Sequence, residues 1–423
     1  MSFLIDPTAI LRTSYKTAVK AAYPVFKSQD FEGLDISGPA LVLGAGKAAA
    51  SMAGAFERSW EGPIRGLVIT RKGYKLPTSY IDVREASHPF PDESNIKETA
   101  CLMQLASSCQ HDETIFFLVS GGGSALLCKP IEGLSLEDKR NITSLLMNAG
   151  ADIRDINGVR RHLSEVKGGG LSLHCAPHKI ITYAISDVVG DSPVDIASGP
   201  TVEDTTSLQD VRAILQKYQI SLDPHIWEAL LRSSKEPSYN GKDKGNSYRF
   251  IGKPSLSLDA AAKYFKGIGV VPIILGDAII GEAREVAAEH AQIALNIAED
   301  PNSVKPCVLL SGGETTVTKT GSGKGGPNTE YLASLLMHLK GHLSIYAIAA
   351  DTDGIDGSEA NAGAIISPKS WEYTQKYNVQ IRAYLEENNC YELFRKLDDL
   401  LITGPTYTNV NDYRAIYIGD DVI

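Results

Sequence analysis

Several short stretches of this sequence hold residues suited to handling phosphate groups. In "VLGAGKAAASMAGA", Gly44 and Gly46 follow an apolar run and Lys47 comes directly after the second glycine. Glycines let a bulky anion approach the backbone, and a lysine opening a helix is disfavoured by the helix dipole unless an anion is present. In "TIFFLVSGGGSALL", Ser120, Gly121, Gly122, Gly123 and Ser124 would aim backbone N–H groups and a hydroxyl at one point, an anion nest. "SDVVGDSPVDIASGPT" puts Asp187 and Asp191 just after another apolar run. Two carboxylates beside a phosphate site suit Mg²⁺ and a general base. "NGVRRHLSEVKGGGL" supplies Arg160, Ser164 and Lys167, which share one face at helical spacing. Each stretch also has a plainer reading: a tight turn, a pair of turn-forming aspartates, a solvated basic face.

The second half repeats the theme. "LLSGGETT" echoes "LVSGGGSA" and offers Ser311, Gly312, Gly313 and Glu314 as a second phosphate-sized turn. "DTDGIDG" contributes Asp351, Asp353 and Asp356, and "TGPTYTNVND" contains Asn409. Ligands of open parallel sheets bind in the crevice beyond the strands' carboxyl ends, so polar glycine loops after strand upon strand are hard to explain as connectors alone.

Other chemistries fit less well. The G-x-G-x-x-A spacing from Gly44 is a dinucleotide fingerprint, but the next strand, "GLVIT", ends in Thr70-Arg71-Lys72, not in the acidic residue that holds a ribose diol. Arg71 keeps an NADP reading open. No P-loop occurs: in "GSGKGG", Gly325 follows Lys324 where Ser or Thr is needed. "DTDGIDG" lacks the ligand spacing of a calcium loop. The 9 histidines show no H-E-x-x-H and no clustering with cysteine. "GGGSA" lacks the glycine after Ala125 that a nucleophile elbow requires.

The elements that must position these residues are legible as alternation. Short apolar runs at Ala40–Leu43, Gly66–Thr70, Thr114–Val119, Ile180–Ile185, Val271–Leu275, Val308–Leu310, Ile345–Ala349 and Leu400–Ile402 read as strands. Ala/Leu-rich helical patterns such as "REVAAEHAQIALNIAED" lie between them, which argues for parallel α/β sheets. At 423 residues two domains are expected, and the polar stretch Arg232–Pro254 is the best boundary. A net charge of -10 argues against nucleic-acid binding. The 6 scattered cysteines read as reduced thiols. Arg12, Lys16 and Lys20 interrupt any signal-peptide core, and the N-terminus reads as a helix with Asp6 as N-cap and Pro7 at its first position. No run approaches a membrane span. A cytoplasmic location is expected.

Taken in order, "GAGKAA", "HPFPDE", "VSGGGSALL", "RRHLSEVKGG", "SDVVGDSPVDIASGPT", "LSGGETTV", "GKGGPNTE", "DTDGIDG" and "TGPTYTNVND" resemble the class II glycerate kinases, the MOFRL family. The resemblance spans Gly44 to Asp412. It implies an ATP-dependent kinase that phosphorylates D-glycerate, typically to 2-phosphoglycerate, with Mg²⁺; some relatives are labelled hydroxypyruvate reductase, so an NAD(P)H-dependent reductase is the alternative. The implied architecture is a Rossmann-like parallel-sheet N-terminal domain, residues 1–240, plus a smaller C-terminal α/β domain, residues 250–423. The site would lie in a cleft to which the last segment is free to return, and domain closure would exclude water. The family's active-site lysine falls on Lys47, and its aspartate loop on Asp187 and Asp191, as catalytic and metal residues. Gly44, Gly46, residues 120–124 and Ser311–Glu314 are assigned to ATP; Arg160, Lys167, Asp351 and Asn409 are assigned to the substrate. The chain departs from the family at Pro327, where many members have Arg, at Thr329, where they have Gln, and at Tyr407, where Gly is common. If that arginine serves phosphoryl transfer in other members, its job here passes to Lys324 or lapses. Product position, substrate chirality, preferred nucleotide and oligomeric state stay open, a homodimer being one option.

Overall fold

A computed structural model describes residues 6–233 and 246–419, which fall into two compact units. One unit is Pro24–Ile251; the other joins the residues up to Tyr23 to Gly252 and everything after it. Residues 234–245, the middle of the expected boundary stretch, lie outside the described residues.

In the first unit the strands are β1 (Ala40–Ala45), β2 (Ile64–Arg71), β3 (Ile81–Ala86), β4 (Thr114–Val119), β5 (Ile180–Ile185) and β6 (Ser247–Gly252). They form one sheet in the order β3-β2-β1-β4-β5-β6, and β1 runs parallel to β2 and β4, as β2 does to β3 and β4 to β5. This is the doubly wound order, which reverses between β1 and β4. Every residue of β1 is buried, and the apolar run of β4 carries Phe116 and Phe117 into the core. Strands covered on both faces read as continuous apolar runs, which is why these were legible. The register pairs Ala45 with Val119. The "GAGK" and "SGGGS" loops therefore leave the sheet side by side, at the point where this fold opens a crevice.

The second unit holds β7 (Val271–Glu282), β8 (Cys307–Thr316), β9 (Ile345–Asp351), β10 (Gly363–Ile366), β11 (Leu400–Leu401) and β12 (Asp412–Ile418), ordered β11-β10-β9-β12-β8-β7. This sheet is mixed, not parallel as the alternation suggested. The last strand, β12, lies antiparallel between β8 and β9, and β10 lies antiparallel to β9. All of β12 is buried, so the chain's final described strand fills the middle of this sheet.

The N-terminal helix Pro7–Ala22 forms as expected, with the Asp6 carboxylate accepting the Thr8 N–H at 3.0 Å. It does not join the first domain, to which residues 1–240 were assigned. Its buried stripe of Leu11, Tyr15 and Ala18 packs with Leu258, Ala261 and Phe265 of the helix Pro254–Gly267. Ser257 Oγ donates to the Ala18 carbonyl at 2.9 Å, and Tyr413 OH bonds Ser14 Oγ at 2.8 Å. An amphipathic helix goes where an apolar face waits for it, and sequence proximity does not decide that.

Candidate functional site

In the first unit the two glycine loops are zipped together. Gly46 N–H donates to the Ile69 carbonyl, Lys47 N–H to Gly121 O at 2.8 Å, and Ala48 N–H to Ser120 Oγ at 3.0 Å. A side chain on Gly46 would meet Ser120 Oγ at 2.1 Å, and one on Gly44 would meet Leu118 O at 2.5 Å. Gly44, Gly46 and Ser120 thus serve close approach of the loops. The amides that present a dinucleotide's pyrophosphate in this fold are already engaged, and Arg71 lies 4.6 Å over the Tyr74 ring.

The other loop is the more open one. Gly122 adopts φ 80°, a left-handed conformation suited to glycine. Among the described residues, no acceptor meets the amides of Gly121, Gly122 and Ser124. The helix that comes next is Gly123–Leu126, only 4 residues long, so the long dipole expected behind this nest is missing. What remains is local: the loop amides, the Ser124 hydroxyl bonded to Ser198 Oγ at 2.6 Å, and the Lys47 side chain. A Cβ on Gly122 would lie 3.2 Å from Lys47 Cγ and 2.9 Å from His88 Nε2. The lysine and this histidine therefore flank the same glycine.

His88 is a residue that sequence reasoning passed over. It sits in "HPFPDE", where the Asp92 carboxylate accepts the Ser94 N–H and caps the helix Glu93–Ser107. Asn95, fully buried, donates to the Ser87 and Ala125 carbonyls at 2.9 and 3.0 Å and so ties this segment to the glycine loop. The quoted motif was the available signal; the approach to Gly122 is a matter of fold.

Arg160, Ser164 and Lys167 do not share a helix face. The helix Ile153–His162 stops first, and Ser164 forms a bridge with Pro130. Lys167 is 1% exposed, and its Nζ donates to the Ser124 carbonyl at 2.6 Å, beneath the glycine loop. Arg160, partly exposed at the end of the helix, donates to Asn157 Oδ1 at 3.3 Å.

Asp187 and Asp191 come after β5, both partly exposed, with Asp191 at φ 52°. Burial first, and then the charges of Asp187 and Asp191, raise the Tyr248 phenol above its ordinary range. Both carboxylates thus lie within electrostatic range of one residue of β6.

The second unit treats its motifs differently. "SGGETT" is no turn: Ser311 to Thr316 continue β8, laddered to β7 and to β12. Ser311 is buried, Glu314 is exposed, and a Cβ on Gly313 would meet the Ile279 carbonyl at 2.2 Å. A phosphate-binding role for Ser311, Gly312, Gly313 and Glu314 as a nest loses its geometry, because paired strands hold their amides. Asp351 ends β9, its Oδ1 accepting the Asp353 N–H at 2.8 Å and its carbonyl the Tyr15 hydroxyl. Asn409, 3% exposed, accepts from the Asn411 N–H at 3.3 Å.

The carboxylates here build structure. Asp356 accepts the Asn328 and Thr329 amides at 2.9 and 2.8 Å, so it caps the helix Pro327–Leu339, whose first position is Pro327. Burial pushes its carboxyl up to about 6. Asn328 Nδ2 donates to Asp412 at 2.6 Å, and Asp412 also receives the buried guanidinium of Arg414. Lys324 is paired with Glu359 at 3.3 Å. Tyr407 holds φ 60°, the backbone region where glycine is at ease.

One doubly wound unit and one mixed unit, with a lysine-flanked glycine loop at the first unit's switch point, define a two-unit α/β protein. Residues 5–231 match a family described as a domain of unknown function (DUF4147), and residues 307–412 match the MOFRL family. The chain is 43% identical to a putative hydroxypyruvate reductase of Agrobacterium vitis, over 98% of this chain and 95% of that one. It is 38% identical to a glycerate 2-kinase of Pyrococcus horikoshii, over 92% of this chain and 88% of that one. Its fold is similar to the crystal structure of a glycerate kinase from Thermotoga maritima, with a TM-score of 0.85 at 34% identity, covering 97% and 98% of the two chains. The chain belongs to the MOFRL glycerate kinase family.

Proposed function

We propose that the chain transfers the γ-phosphoryl group of ATP to a hydroxyl of D-glycerate, giving 2-phosphoglycerate. The observation that carries this reading is the placement of Lys47 over Gly122, beside amides left open for an anion. Phosphoryl transfer asks the protein for positioning and for neutralised charge, with little covalent chemistry. Lys47 and the amides of Gly121, Gly122 and Ser124 hold anionic phosphate oxygens, and Lys167 supports the loop from below. Arg160 meets the substrate carboxylate. Asp187 orients the attacking hydroxyl.

Mg²⁺ fits the donor set. It binds through one or two carboxylates together with substrate phosphates, and Asp187 and Asp191 bear on one common neighbour. These two residues would hold it, and when bound it neutralises charge on the phosphates.

The engaged amides around Gly46 speak against nicotinamide binding, and Arg71, the residue that suits an NADP 2′-phosphate, lies over the Tyr74 ring. The test is a pair of assays on the purified protein. ADP release that depends on glycerate, Mg²⁺ and ATP is the expected outcome. Steady NAD(P)H oxidation with hydroxypyruvate, and no ADP from glycerate, would replace this reading with the reductase.

A further inference from the structure

Two cations in the first unit lie largely out of water, with no carboxylate bonded to them among the described residues. Lys139, inside the helix Leu136–Asn148, is 9% exposed, and its Nζ donates to Cys128 Sγ at 3.9 Å. Arg160 has Asn157 as its bonded partner. Among the described residues, neither forms an ion pair. The buried Arg161 beside them does, with Asp204 at 2.9 Å. Taking a charge out of water costs several kcal/mol unless a partner repays it. Burial pulls Lys139 below its ordinary range; the Cys128 sulfur opposes that shift, and Arg160 adds to it. Burial likewise lowers Arg160.

The thiol beside Lys139 lies close to the glycine loop along the chain. Cys128 comes a few residues after Ser124, and its N–H donates to Thr99 Oγ1 at 3.0 Å. The Lys129 carbonyl accepts from Glu165 N–H and Ser164 Oγ, which fastens this segment to the one just past Arg160. Arg160 keeps partial exposure, so a small anion has a way in. An ammonium and a planar guanidinium around an apolar thiol suit a compact carboxylate.

We propose that Lys139, with Arg160 and lined by Cys128, anchors the carboxylate of the acceptor substrate. The proposal rests on the kinase reading for the identity of that acid. The test is calorimetric titration of the full chain, without nucleotide, with D-glycerate, with glycerol and with inorganic phosphate, together with thermal melts. Lys139→Met should weaken glycerate binding by at least about tenfold, because a buried charge partner is removed. It should leave Mg-ATP binding intact, and without ligand it should melt no lower than the wild type, since an unpaired buried charge has gone. Arg160→Gln should weaken glycerate similarly and serves if the first variant does not fold. Undiminished glycerate binding, a ligand-free melt of Lys139→Met well below wild type, or loss of phosphate binding alone would overturn the proposal. Lys139-dependent glycerate binding without any phosphorylation would instead contradict the kinase reading and leave the anchor standing.

Discussion

The same tripeptide, Ser-Gly-Gly, takes opposite forms in the two units. After β4 it leaves the sheet, turns through Gly122 at φ 80°, and exposes backbone amides beside Lys47. In the second unit Ser311-Gly312-Gly313 stays in β8 with partners on both sides. The next residues along the chain differ: a third glycine and a short helix in one case, Glu-Thr-Thr in the other, whose β-branched residues favour a strand. The neighbours differ too. β12 offers β8 an antiparallel partner along most of its length, and Arg414 reaches across to the Gly312 carbonyl. A glycine pair permits close backbone approach; the tertiary partner decides whether a ligand or a strand makes it.

That contrast can be broken most forcefully at Lys47. Lys47→Ala should lower kcat by at least about tenfold, the usual cost of removing one preorganised charge from a transition state, with an unchanged melting point. Undiminished activity would make the first loop as structural as the second. Gly313→Ala should act in the opposite sense. With φ 107° and the Ile279 carbonyl in the way, it should cost about 2 kcal/mol or more of stability, read as a lower urea midpoint, while the folded fraction keeps its kcat. Gly122→Ala, by contrast, should cost activity, since its Cβ would press on His88 and Lys47.

One pH effect comes from a buried histidine of the second unit. His290 bonds Tyr331 OH at 2.8 Å, and burial lowers its pKa to about 4 from 6.5. Below pH 6.5 the unfolded chain takes up a proton that the folded chain refuses, so stability is lost as pH falls from 6.5 to about 4. Asp356 and Asp399, both raised to about 6, work the other way, losing stability as pH rises towards 6. The difference between wild type and His290→Gln isolates the histidine: relative to the midpoint at pH 7, the urea midpoint at pH 5 should be higher in the variant than in the wild type. Equal spacing would contradict its neutral burial. The smallest effect belongs to Gly312→Ala. Its Cβ meets nothing nearer than 3.4 Å, so stability should change by less than about 1 kcal/mol and kcat should hold.

Much of the first sheet was legible because its strands are apolar throughout: Thr114–Val119 and Ile180–Ile185 stand where the runs placed them. β12 was not, since "DYRAIYI" buries Asp412 and Arg414 as a bonded pair, and charges in a sequence read as loop. β3 was missed for a related reason: Asp82 and Arg84 pair with each other beside buried Ile81 and Val83. The glycine turn that carries Lys47 was legible from its spacing. His88 and Lys139 were not, because the approach of one to Gly122 and the burial of the other depend on packing between segments far apart in sequence. Lys139 sits in "SLEDKRNITSLL", which reads as an ordinary solvated helix face.

Phosphorus NMR of the product bears most directly on the account as a whole. The protein is incubated with D-glycerate, Mg²⁺ and ATP, and the new phosphomonoester signal is recorded with proton coupling. A doublet, from phosphorus bonded through oxygen to the single C2 proton, is the result the account predicts. A triplet, from the C3 methylene, would move the transfer to the other hydroxyl. No new phosphomonoester signal beside unconsumed ATP would contradict the central claim.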